Sequence, residues 1–213
     1  MYFLPWIFDR VRAPESSCRI GCRMLEAITS YINDRYGSKR GLLNHWRFGV
    51  QHQLGQFARY RAIDWTLVSN FVFICHGNIC RSPLGEAVSR QRYQLKAESF
   101  GIDCRDGAPT DPRAIHFSSN IGIDLTQHTS RHIRSYQPQP NDLVVVMEPR
   151  HLLQLPAQIR EIAQITLIGL WQPRPQPYVH DPYGSGEQHF QRCEQAVVNG
   201  VEGMARQWQN RHQ

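Results

Sequence analysis

The residues most able to do chemistry in this sequence lie in one stretch, Cys75-His76-Gly77-Asn78-Ile79-Cys80-Arg81-Ser82-Pro83. Gly77 and Asn78 are the residue types that most readily adopt positive φ, so the segment can curl with its amides pointing inward. N–H groups gathered at the start of a helix form an anion site. The same field favours Cys75 as a thiolate nucleophile. The planar fork of Arg81 can hold two oxygens of a phosphoryl group. Pro83 fits the first helical turn, where no backbone donor is needed. A cysteine and an arginine at this spacing often occur together by chance as a buried thiol and an exposed cation. Here an apolar run precedes them and a helical pattern follows, with Gly, Asn, Ser and Pro all in place, and that context carries the reading.

A loop of this kind needs a strand to deliver it and a helix to receive it. Thr66–Ile74 (TLVSNFVFI) ends in a dense apolar run, as a buried parallel strand does. Further apolar runs lie at Lys96–Ser99, Leu143–Met147 and Ile165–Leu170. Helical patterns separate them at Ser82–Gln94, Pro112–Asn120 and Glu187–Gln209; in the last, Phe190, Val197, Val201, Met204 and Trp208 form one stripe, read as core packing. The alternation predicts an α/β three-layer sandwich with a four-stranded parallel sheet and the phosphate-binding loop after its first strand. Ligands on such sheets bind at the carboxyl ends of the strands.

The first third has a different texture. Gly21–Tyr36 places Met24, Leu25, Ile28, Tyr31 and Ile32 at helical spacing, and Gly41–Ile63 does the same with Leu43, Trp46, Val50, Leu54 and Phe57. Two helices packed only on each other bury little, so this α-helical N-terminal extension should dock on the rest of the chain, on a second copy or on a membrane surface. Residues 1–65 hold ten Lys+Arg against five acids, while residues 66–213 hold fourteen against thirteen. A basic segment can seek acidic partners, but a solvated helix surface is the simpler reading, and no nucleic acid is expected. The run MYFLPWIF followed by Arg10 and Arg12 would allow peripheral contact with a membrane interface.

A chain of 213 residues, 41% hydrophobic, is long and apolar enough for a real core, which excludes a disordered protein. No run of about 18 apolar residues marks a transmembrane helix. No basic stretch precedes the first apolar residues, so they are not read as a secretory signal. Six scattered cysteines do not make a disulfide framework at this length and favour a reduced, cytoplasmic setting. Cys18 and Cys22 lack the further ligands a metal site needs, and no metal or cofactor is expected.

Residues 75–83 match the C-x-G-N-x-C-R-S-P loop of the low-molecular-weight protein tyrosine phosphatases at every fixed position, and the sequence resembles that family over roughly residues 66–213. Ala97-Glu98-Ser99, His128-Thr129-Ser130-Arg131, Asp142-Leu143-Val144-Val145-Val146-Met147 and Asp181-Pro182-Tyr183 look like the family's later segments. In the larger tyrosine and dual-specificity phosphatases the acid precedes the cysteine; here it follows by about a hundred residues. The resemblance implies a catalytic domain over 66–213 with residues 1–65 as a basic helical extension.

It also implies roles. Cys75 attacks phosphorus and forms a phosphocysteine. Asp181 protonates the leaving phenolate and then serves as base toward water. Arg81 and the loop from His76 to Ser82 hold the phosphoryl group, with Ser82 also bonded to the thiolate. Ser99 and His128 support Asn78, and Tyr183 forms an aromatic wall. Cys80 can pair reversibly with Cys75 as protection from over-oxidation. The implied partner is a phosphotyrosine protein, in bacteria often one modified by a tyrosine kinase. Ile79 stands where phosphoarginine-directed relatives tend to carry threonine, and arsenate reductases need a second cysteine pair that Cys104 and Cys193 do not supply. A non-catalytic phosphotyrosine-binding module would have no use for Cys75 and Asp181 together. His76, Phe100 and Gly184 depart from the residues usual at their places and bear on substrate preference.

Overall fold

The computed structural model describes residues 15–212, with side chains from Arg23 onward. After α1 (Glu15–Tyr36) and α2 (Lys39–Gln53), the chain runs through β1 (Asn70–Cys75), α3 (Arg81–Tyr93), β2 (Ala97–Gly101), α4 (Pro112–Asn120) and β3 (Asp142–Val146). It continues through α5 (Pro149–Gln154), α6 (Ala157–Ile162), β4 (Gln164–Leu167) and α7 (Glu187–His212). The strands form one parallel sheet in the order β2-β1-β3-β4, as expected for an α/β fold. In register, Phe73 of β1 sits between Ser99 of β2 and Val145 of β3. β1 is buried along its whole length, as an inner strand covered on both faces must be. With all strands parallel, the chain leaves β1 and β3 on the same side of the sheet, which brings Cys75 and Glu148 to one edge.

Helices α3 and α7 pack against each other and α4, with α3 lying on β1 and β2. The predicted stripe of α7 does face the core: Phe190, Val197, Val201 and Met204 are buried. Trp208 is half-buried and its indole N–H donates to the Val68 carbonyl at 2.8 Å.

Several boundaries differ from the sequence reading. The first strand begins at Asn70, because Asp64 caps a 3-10 turn over Trp65–Leu67 by accepting from Thr66 N at 3.1 Å. The last strand ends at Leu167, and Ile168–Trp171 forms a buried 3-10 turn. The second helix stops at Gln53, since the chain reverses at Gly55 with φ 78°. Helices α5 and α6, six residues each, are too short for a periodic signal.

The stretch after α2 is clipped onto β4. Asp64 and Gln164 exchange two hydrogen bonds of 2.8 and 3.0 Å, and Thr166 Oγ1 donates to the Tyr60 carbonyl at 2.6 Å. Trp65 meets Trp171 edge-to-face at 5.0 Å. Phe57 is buried and lies 6.3 Å from the half-buried Phe48 of α2. The apolar positions expected to dock do not all do so: Met24, Leu25, Ile28, Tyr31, Leu43, Trp46, Val50 and Leu54 are exposed. The side chains of Cys18 and Cys22, and residues 1–14, lie outside the described residues. Among the described residues no helix is long and apolar enough to cross a membrane.

Candidate active site

Cys75 ends β1 with its sulfur buried, 3.0 Å from Ser82 Oγ and 3.2 Å from the Asn78 amide, which donates to it. Four of the loop's carbonyls are tied outward. Those of Cys75, His76 and Ile79 accept from the amides of Ile102, Asp103 and Asp111 at 2.9–3.0 Å. The Asn78 carbonyl accepts from His128 Nε2 at 3.0 Å, which fixes that nitrogen as the protonated one. With the carbonyls committed, the N–H groups of Gly77, Ile79, Cys80 and Arg81 have no protein acceptor among the described residues. That arrangement makes an anion-binding nest at the start of α3.

Asn78 sets the curl. Its φ is 53°, a left-handed value that asparagine tolerates better than most residues. Its side chain donates to Ser82 Oγ and Ser99 Oγ, each at 2.9 Å, and accepts from Arg131 N at 2.7 Å. Ser99 Oγ in turn donates to Glu86 at 2.7 Å. Thus Ser99 and His128 both converge on Asn78. Gly77 does not take positive φ, and a Cβ there would meet only Ile79 at ordinary contact distance, so the expected second left-handed residue is absent. Gly101 shows why β2 ends in a glycine: a Cβ there would stand 3.0 Å from the His76 carbonyl oxygen and 3.1 Å from Asn78 Cβ.

Arg81 opens α3 and is 1% exposed. Its Nη1 donates to Glu148 Oε1 at 2.9 Å and to the Val179 carbonyl at 3.0 Å, while Nη2 pairs with Asp181 Oδ1 at 3.0 Å. Its Nε has no partner among the described residues. Burial works against the guanidinium charge, but Asp181 and Glu148 outweigh it and raise the pKa. For Asp181, burial pushes the carboxyl up, whereas Arg81, the Tyr183 amide and Arg150 pull it below the ordinary carboxylate range. Arg150 lies 3.8 Å from Asp181 and 3.0 Å from Glu148. Burial, then Arg81, drives His151 down to about 2, so its 3.6 Å approach to Glu148 is not an ion pair.

Cys75, His76, Gly77, Ile79, Cys80, Arg81, Asp181 and Tyr183 line one cleft of about 160 Å³. Tyr183 is an exposed aromatic at its rim, and the chain turns just after it at Gly184, φ 73°. His76, half-exposed, reaches within 3.9 Å of Asp103. Burial, then Glu194 and Cys75, pushes the Cys80 thiol far up, so it stays protonated. Phe100 is buried beneath the Arg131 guanidinium at 4.5 Å and does not line the cleft.

Sequence reasoning missed Glu148 and Arg150, although Glu148 follows a strand that ends at the site and its position was a signal. It also missed Glu194 of α7, which is fully buried with neither oxygen partnered among the described residues. Burial pushes its carboxyl up to about 8. No group of His, Cys, Asp and Glu among the described residues is placed to hold a metal ion.

The family model described as low molecular weight phosphotyrosine protein phosphatase matches residues 70–213. The low molecular weight protein-tyrosine-phosphatase Wzb of Escherichia coli K12 is 34% identical over 145 residues, covering 67% of this chain and 94% of that protein. The tyrosine phosphatase Wzb of Escherichia coli K30, solved in complex with sulphate, has 29% identity and a TM-score of 0.54, covering 66% and 98% of the two chains. Vibrio vulnificus Wzb, solved with benzylphosphonate, has 27% identity and a TM-score of 0.55, covering 66% and 99%. The anion nest, the buried arginine and the cysteine at a strand end thus lie within the region that these proteins share, and the chain belongs to the low molecular weight phosphotyrosine protein phosphatase family.

Proposed function

We propose that this protein hydrolyses protein phosphotyrosine through a phosphocysteine intermediate, with residues 66–213 as the catalytic domain and residues 1–65 as an appended extension. The observation that carries the reading is one cleft holding the sulfur of Cys75, the guanidinium of Arg81 and the carboxylate of Asp181. The Cys75 thiolate attacks phosphorus as the ester P–O bond breaks, and Asp181 gives its proton to the departing phenolate. Water then attacks the phosphocysteine, its proton goes to Asp181, and the S–P bond breaks to return a thiolate that Ser82 stabilises by hydrogen bonding.

Arg81 is built to hold the transferring group. Its Nη1 edge is committed to Glu148 and Val179, whereas Nε is unpartnered among the described residues, which leaves the Nε and Nη2 donors as a fork for two phosphoryl oxygens. A dianion seated there displaces Asp181 from Nη2, and its charge favours the protonated carboxyl that the first step requires. Tyr183 at the rim suits a phenyl ring, and the Vibrio vulnificus relative, solved with benzylphosphonate, has an aryl ligand of that kind. The free thiols of Cys75, Cys80, Cys104 and Cys193 support a reducing, cytoplasmic location, and the substrate is then a protein modified by a tyrosine kinase.

The test is hydrolysis of p-nitrophenyl phosphate and of phosphotyrosine, phosphoserine and phosphoarginine peptides by the native protein and Cys75→Ser. Turnover confined to phosphotyrosine and the aryl ester, and abolished by Cys75→Ser, is expected. Turnover that survives the substitution would refute the nucleophile, and preference for phosphoarginine would refute the substrate.

A further inference from the structure

Asp181 is carried by a loop, residues 176–181, that two parts of the molecule hold. The catalytic side holds it through the backbone. Gln176 N donates to the Gly169 carbonyl at 2.9 Å, Val179 N to the Met147 carbonyl at 3.0 Å, and the Val179 carbonyl accepts from Arg81. These bonds leave the side chains of Tyr178 and His180 to be fixed by something else.

The N-terminal helices supply much of it, while the His180 ring also lies 5.2 Å from the His189 ring of α7. Asn44 Nδ2 of α2 donates to Tyr178 Oη at 3.4 Å, and the Phe48 ring lies 5.4 Å from the Tyr178 ring at a tilt of 35°. Gln176 Nε2 donates to the His45 carbonyl at 3.1 Å. Tyr178 Oη shares a hydrogen bond with His180 Nδ1, and His180 is the residue before Asp181. The turn between α1 and α2 closes the grip. Gly37 has φ 76°, and a Cβ there would stand 2.6 Å from His189 Nε2 and 2.7 Å from His180 Cδ2. Tyr178 is buried, and its hydroxyl has Asn44 and His180 as partners.

We infer that Gly37, Asn44 and Phe48 are positioning residues for the reaction, acting through Tyr178 and His180 to place the Asp181 carboxyl against the leaving group. A misplacement near 1 Å at a reacting group can cost about 10²-fold in rate, so a proton donor fixed from both sides gains from the second hold. All three residues precede the region that the family model matches. The inference rests on Asp181 being the proton donor, and its test separates the two claims.

The measurement is kcat/KM for phenyl phosphate and for p-nitrophenyl phosphate, whose leaving group needs less protonation. The full-length proteins are Gly37→Ala, Asn44→Leu, Phe48→Ala, Phe48→Tyr and Asp181→Asn, each also assayed for inhibition by inorganic phosphate. Asp181→Asn should depress phenyl phosphate far more than p-nitrophenyl phosphate. Gly37→Ala, Asn44→Leu and Phe48→Ala should show the same selectivity at about tenfold on phenyl phosphate, with phosphate inhibition unchanged and Phe48→Tyr close to native. If Asp181→Asn lowers both esters equally, the proton-donor assignment falls. If Asp181→Asn is selective while the helix variants keep the native ratio, or lower both esters alike, the positioning role falls alone. Should Gly37→Ala fail to fold, Asn44→Leu decides the question, since it removes one hydrogen bond from a half-buried helix position.

Discussion

Arg81 and Asp181 are ion-paired at 3.0 Å, Nη2 to Oδ1, so the group proposed to grip the substrate also holds the group proposed to protonate its leaving oxygen. Arg150, 3.8 Å from the other Asp181 oxygen, adds to the hold. Arg81 and Arg150 both lower the Asp181 pKa, and a general acid works only while protonated. In the substrate complex, where the bound dianion favours the protonated carboxyl, activity falls as pH rises through the Asp181 pKa. Removing a cation raises the pKa and moves the fall to higher pH. Arg150→Met should accordingly shift the alkaline limb of the phenyl phosphate pH profile upward, and a downward shift would contradict the placement of Arg150. Arg150 is half-exposed, so the shift should shrink in high salt.

Asn78→Ala should disable the loop without touching the nucleophile. It deletes the hydrogen bonds to Ser82, Ser99 and Arg131 and leaves alanine at φ 53°. Three hydrogen bonds, two of them buried, and a strained backbone together amount to about 3–5 kcal/mol of stability, with kcat/KM lower by about 10²-fold. Denaturant melts and steady-state kinetics on one preparation read both effects. Native kinetics would show that the loop keeps its shape without Asn78.

Glu194 makes stability depend on pH in an unusual direction for a carboxylate. Its folded pKa, about 8, lies above the ordinary 4.5, so the folded state holds a proton that the unfolded state releases in between. Stability from this group is full below the ordinary value and declines as pH rises toward 8. Glu194→Gln removes the decline, so its advantage over the native protein should grow from pH 5 to pH 8 to a few kcal/mol. Melting temperatures at the two pH values measure it, and an advantage that does not change with pH would mean that Glu194 is ionised in the fold.

How much of this was legible from the sequence follows from distance along the chain. Cys75, Asn78, Arg81 and Ser82 are neighbours, so their types and spacing could be read together. Ser99, His128 and Asp181 entered only through family resemblance, because nothing local distinguishes a serine that meets Asn78 Nδ2 from one at any strand end. Glu194 was readable: it falls four residues after Phe190 and three before Val197, on the apolar stripe of α7, where a carboxylate is out of place. The grip of α2 on the acid loop was not readable, since Asn44 and Tyr178 are 134 residues apart and each alone looks like an ordinary helix or loop residue. The apolar spacing in α1 and α2 correctly marked helices but not their direction of docking, for periodicity shows that a helix has an apolar face without showing what covers it.

The two clasps between α2 and the loop before Asp181 join residues 131 and 134 positions apart. A ribosome adding about 5–20 residues per second leaves α2 without these partners for on the order of ten seconds after it is made. In that interval Phe48 has neither Tyr178 nor a finished sheet to lie against, since β4 is also still to come. A segment made before the catalytic fold is thus seated late, and any step that slows elongation between them lengthens the time the nascent chain displays Phe48 beside the already exposed Leu43 and Trp46.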